Sequence, residues 1–316
     1  MARLPFARVK YPVLTNKLLR RRDLSQTGGK GVIEAQIGRA GRQMGHKAAF
    51  SLKKALIEAV GFLPTAWSGA WLVLLMLLTV GLLVPFLIWH AAFGIWAPWI
   101  NIVAQALGLV VKLMALGALY RLAIFRKAAR VEGLGLGGVQ FGAPEVRILA
   151  ALIIMMIFLI AIAATFILIF IIAFNLSPLG DGYRDTVSGV MAIFSRATGL
   201  DWLFIVYAVL AVLALFLLTA RLSLMFAATI AERRLVTLNA LALGEGNGLK
   251  LMVGVLLLLL PYPLSVLIGL KIPQDDGDAI FLNYGLYVGV TALVILPLSV
   301  GFFASAYRQM RLGQAK

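Results

Sequence analysis

The stretch ILAALIIMMIFLIAIAATFILIFIIAF, from Ile148 to Phe174, holds no charged side chain, and its apolar residues run on without the alternation of a strand. Helix rises 1.5 Å per residue, so this run is long enough for the roughly 30 Å hydrocarbon core of a bilayer. In lipid a helix satisfies its own backbone hydrogen bonds, whereas a barrel strand would show a two-residue period.

Five further apolar runs flank it, from Trp67 to Trp89, Ile100 to Phe125, Trp202 to Ile230, Leu251 to Leu270 and Ala279 to Ala306. The expected fold is an all-α integral membrane protein with six transmembrane helices. Composition agrees, since 62% of the 316 residues are hydrophobic and 13% charged, far from a water-soluble balance.

The net charge of +16 raises the question of nucleic acid. Of the 29 Lys and Arg, all but Lys112, Arg184, Arg196 and Lys271 fall in the N-terminal segment, the second and fourth connections, or the C-terminus. That is the distribution of membrane flanks, not of a nucleic-acid surface. The positive-inside rule then places both termini in the cytoplasm, and the multi-pass chain is expected in a bacterial inner membrane. Asp181, Asp185, Asp201, Asp275, Asp276 and Asp278 mark the other face, and all six tryptophans lie near span ends, where indole rings prefer the headgroup level.

Three parts follow. Residues 1–63 form a basic cytoplasmic arm, 64–307 the six-helix domain and 308–316 a short cytoplasmic tail. Met1 to Asp23 lack the apolar core of a secretory signal. Towards the membrane, Met44, Ala48, Leu52, Ala55, Ala59 and Val60 alternate with Lys47, Lys53, Lys54 and Glu58, as in an amphipathic helix on the inner leaflet; a solvated lead-in is the other reading. Arg121, Arg221 and Arg308 close the second, fourth and sixth spans, which suggests three repeated helical hairpins. The positive-inside rule alone also produces arginines there.

Catalytic chemistry finds no foothold. Without cysteine there is no disulfide, thiolate metal site or iron–sulfur cluster, and His46 and His90 lie far apart, so no metal or other cofactor is expected. The GEGNGLK stretch from Gly244 to Lys250 lacks P-loop spacing, and neither HExxH nor GxSxG occurs.

Lys112 sits near mid-membrane, where a lysine costs about 2.5–3.5 kcal/mol on insertion scales. Every acidic residue falls in or beside a loop, so no carboxylate of the chain lies at that depth. Either Lys112 and Gln105, two turns apart on one face, attract an anion into an interhelical cavity, or the lysine snorkels or meets carbonyls freed by a broken helix. Pro261, Pro263 and Pro297 supply such breaks. Asn283, Tyr284, Tyr287 and Thr291 add a polar stripe to the sixth span, suited to interhelical hydrogen bonds.

The segment RLSLMFAATIAERR, Arg221 to Arg234, followed by a polar turn and the apolar run from Leu251, resembles a pattern in bacterial six-span membrane proteins. These are related to the membrane domain fused to some glycerophosphodiester phosphodiesterases. Arg221 and Glu232 fit; Ala227 stands where that pattern carries proline. The resemblance implies a noncatalytic membrane domain dealing with lipids and transfers no active site. The expected function is binding or moving a lipid or other amphipathic anion, with Lys112, Gln105 and Arg221 as anchors and anionic membrane lipids as partners. A structural or accessory subunit of a larger membrane complex, partnered by other membrane proteins, is the alternative.

Overall fold

The apolar runs fold as helices, and no strand occurs among the described residues. A computed structural model describes residues 50–90, 97–131, 133–175, 201–269 and 277–314. The arm before Phe50, with His46, and the connections holding Asp181, Arg184, Asp185, Arg196, Lys271, Asp275 and Asp276 lie outside them.

In chain order the helices are α1 (Leu52–Gly69), α2 (Trp71–His90), α3 (Ala97–Phe125), α4 (Ala143–Asn175), α5 (Asp201–Leu222), α6 (Leu224–Glu232), the single turn α7 (Ala240–Leu243), α8 (Gly248–Leu258), α9 (Pro261–Gly269), α10 (Gly277–Val290) and α11 (Leu296–Gln314). A π-helical turn, Thr291–Ile295, joins α10 to α11. Five stretches are long and apolar enough to cross a membrane: α3, α4, α5 with α6, α8 with α9, and α10 through α11. A sixth arises if α1 and α2, bent by 88°, count as one. The architecture is compatible with a multi-pass membrane protein.

The first span differs from its expected start at Trp67. Helix α1 runs past that residue to Gly69, and a new helix opens at Trp71 after a break at Ala70. Pro64 lies inside α1 without ending it. Small residues explain the close docking of α1 on α11: Ala55, Ala59 and Ala66 are buried, and Gly301 of α11 lies against Ala59 and Phe62. Two successive contacts, Ser51 with Gln309 and Trp67 with Leu293, show that the helices run antiparallel.

Burial is concentrated at one end of the bundle, the end that carries the arginines. Leu224 to Ile230 of α6 are all buried, packed among α3, α4 and α11. By contrast Ile157, Ile160, Leu203 and Val212, further along α4 and α5, are exposed, as suits lipid-facing surface.

At this end Arg121 of α3 meets Glu145 in the first turn of α4, with only 2% and 0% of the side chains exposed. The other carboxylate oxygen of Glu145 accepts the backbone N–H of Gly142 at 2.9 Å, the reach-back half of a capping box. Gly117, one turn before Arg121, makes the space, since a Cβ there would overlap the carboxylate. One glutamate thus caps α4 and fixes its approach to α3.

Removing one partner of a buried ion pair costs about 3–5 kcal/mol, whereas replacing both by apolar groups is often neutral. Glu145→Gln should therefore lower thermal stability in mild detergent sharply, and the double variant Arg121→Met with Glu145→Leu should be less destabilised than either single change. Additive losses in that cycle would contradict the assignment.

Candidate functional site

The sequence-selected polar residues do not converge. Lys112 and Gln105 are both exposed on the outward face of α3, among the exposed Ile102, Val103 and Leu109, while Val111 and Leu113 to Ala115 face inward. Arg221 lies at the end of α5, where its Nη2 donates to the Leu241 carbonyl at 2.7 Å and its Nε is buried without a hydrogen bond. The glycine-rich stretch beside it serves that arginine, because Gly244 and Gly248 lie against its side chain. At Ala227, helix α6 runs on unbroken.

The proline-freed carbonyls are occupied. Pro297 cannot donate to Leu293, four residues back, and the indole N–H of Trp67 donates to that carbonyl instead, at 2.8 Å. Between α8 and α9 the turns tighten: Leu260 donates to Leu257 and Tyr262 to Leu259, the two carbonyls that Pro261 and Pro263 leave open. In the polar stripe Tyr287 packs edge-to-face on Tyr262, with ring centroids 5.3 Å apart, and Asn283 lies against Gly269. Thr291 Oγ1 is buried without a hydrogen bond.

A different constellation forms at the basic end. Where α3 stops, Arg126 takes φ 51° and a tight turn, Arg126–Arg130, carries the chain away. Gly138, whose φ of 85° favours glycine, then fits closely between Ala118 and the start of α2, where a Cβ would be tight. Beside this turn open two adjoining clefts. One, of about 540 Å³, lies between α1, α3 and α11 and is lined by Glu58, Phe62, Thr65, Leu122, Arg126 and Arg308. The other, of about 800 Å³, is walled by Thr65, Ser68, Trp71, Leu122, Leu136, Arg126 and Arg130 among others.

Arg126 stands in both clefts. Arg308 is engaged, pairing with Glu58 at 2.7 Å and donating to the Ala123 carbonyl. Glu58 is the single carboxylate among the described lining residues, and Arg308 holds it. Arg126 and Arg130 are exposed. Guanidinium groups above apolar walls suit a ligand with an anionic head and a hydrocarbon body.

Arg126 and Arg130 were legible only as span-flanking charge. The left-handed conformation that sets Arg126 between the clefts has no local sequence signal, because such a position usually carries glycine. Among the described residues no group of His, Asp and Glu could hold a metal ion. No family model matches this chain, and no match was found among curated proteins or solved structures.

The Trp67 clasp yields a direct test. Trp67→Phe keeps an aromatic ring, though a smaller one, and removes the donor, so stability should fall by about 1–3 kcal/mol, the cost of an acceptor left unsatisfied. Adding Pro297→Ala, which restores a backbone donor to Leu293, should recover part of that loss; a double variant no more stable than Trp67→Phe alone would show that the indole bond carries no such weight.

Proposed function

We propose that this chain is a noncatalytic inner-membrane protein that binds the phosphate of an anionic membrane lipid at its cytoplasmic end, with Arg126 and Arg130 as the contacts. The supporting observation is Arg126 itself. A non-glycine residue in the left-handed region costs roughly 1–2 kcal/mol, and here it stands between two clefts, one with mainly apolar walls and one of mixed polar and apolar lining. Strain of this kind persists where the surrounding structure or a function demands it.

The site takes over the anchoring role expected of Lys112, Gln105 and Arg221. Arg221 is committed to a carbonyl, and Lys112 and Gln105 face outward. Two arginines suit a phosphate better than one lysine, since each offers a planar fork of donors. Both termini in the cytoplasm, as the basic residues direct, set the clefts at the level of inner-leaflet headgroups.

A second reading rests on Lys112. An exposed lysine at mid-span among apolar neighbours, with no carboxylate at that depth among the described residues, favours a partner helix that supplies one. The protein is then also a subunit of a membrane complex.

Native mass spectrometry of protein released from its own membrane separates these readings. Arg126→Gly should relieve the backbone strain, leave stability unchanged or raised, and weaken retention of anionic lipid about tenfold, a loss near 1.4 kcal/mol. Arg126→Ala with Arg130→Ala should abolish retention, and Lys112→Met should leave it intact. Undiminished lipid in the arginine variants would refute the site, and a partner chain lost with Lys112→Met would establish the complex.

A further inference from the structure

Three arginines that lie far apart in sequence share one small cavity. It measures about 90 Å³ and opens where the end of α3, the start of α4 and the end of α6 meet. Arg121, Arg147 and Arg233 line it, with Thr229 and Ile230 among the other walls. None of its described lining residues belongs to either cleft beside Arg126.

Guanidinium groups keep their charge at every working pH, and three around so small a space repel one another. No carboxylate is among the described lining residues. Glu145 spends one oxygen on Arg121 and the other on the Gly142 N–H, and Glu232, next to Arg233, is held by Arg234 and Tyr307. Arg147 is half-buried, and it makes no hydrogen bond or ion pair among the described residues. A guanidinium carries five N–H donors, so Arg121 can hold Glu145 and still bind a second acceptor.

Arg233 reaches the cavity through a backbone that disfavours side chains. Helix α6 ends at Glu232, and Arg233 follows with φ 53°, in the left-handed position that helix ends ordinarily give to glycine. The Val236 N–H donates to the Thr229 hydroxyl at 3.2 Å and ties the turn back to α6. Glycine would close this turn without strain, so an arginine kept there points to a use for its side chain.

We infer that Arg121, Arg147 and Arg233 form a second anion site, which takes a single phosphate group. Arginine forks match phosphate oxygens, and several can share one phosphate. The cavity has room for a group of a few heavy atoms and falls far below the roughly 300–1,000 Å³ of a pocket for a whole small-molecule ligand. The half-buried Arg147 and the exposed Arg233 leave it open from outside the fold. Its occupant is either free phosphate or the terminal phosphate of a phosphomonoester lipid. The inference does not rest on the site at Arg126 and Arg130, which could fail while this one stands.

Thermal unfolding of the full chain in dodecyl maltoside, followed by tryptophan fluorescence, is compared in sodium phosphate and in sodium chloride of equal ionic strength. Phosphate should raise Tm with the logarithm of its concentration, as binding to the folded state requires, and chloride should not. Arg147→Gln and Arg233→Gly remove charge at positions outside the core, and each should need about tenfold more phosphate for the same rise. Arg126→Ala with Arg130→Ala should leave the response in place. Dioctanoyl phosphatidic acid identifies the source: a response to this lipid and not to inorganic phosphate, lost in Arg147→Gln, assigns the cavity to a headgroup. No rise with either probe overturns the inference. So does a rise undiminished in either Arg147→Gln or Arg233→Gly, or one that disappears with Arg126→Ala and Arg130→Ala.

Discussion

The buried pair of Arg121 and Glu145 is the constraint on which the rest of the bundle depends. Two charges removed from water tolerate little misplacement, because their mutual attraction must offset several kcal/mol of lost hydration for each ion. Gly117 gives the carboxylate room and Gly142 donates to it, so the register of α3 against α4 is fixed at a single point. Helix α6 packs on both helices and on α11, which holds α1. The apolar lengths of the spans supply insertion, and this polar junction supplies their arrangement.

The same end of the molecule is built from helix termini, and arginines hold them together. Arg221 and Arg308 each donate to a backbone carbonyl of another segment, Leu241 and Ala123. Arg126 and Arg233 are the two non-glycine residues with positive φ among those described, and each follows the end of a helix. Helix carboxyl ends carry partial negative charge, which accounts for cations there. Arg121 and Arg308 are thereby committed to carboxylates within the fold. Arg126 is exposed above apolar walls, and that contrast is the basis for assigning it a ligand.

The sequence made the long helices legible because a spanning helix must be apolar throughout, and Ile148 to Phe174 could be little else. It concealed the end of α1, since GFLPTAWSG is nearly as apolar as the span that follows and Pro64 suggests a break that the helix does not make. The Arg121 pair was hidden because Glu145 stands beside a loop, where a carboxylate reads as solvated. Pro297 promised a free carbonyl, and its partner, Trp67, lies 226 residues away. Lys112 was conspicuous for its depth, but depth does not say which way a side chain faces.

The central claim is that the basic end of this bundle holds a lipid phosphate between two arginines. Electron cryomicroscopy of the full chain in nanodiscs containing phosphatidylglycerol tests it most directly. The account predicts a headgroup phosphate within hydrogen-bonding distance of Arg126 and Arg130, its acyl chains along Trp71 and Leu136. Clefts filled by water or by a segment of the chain itself, with lipid density elsewhere, would contradict it.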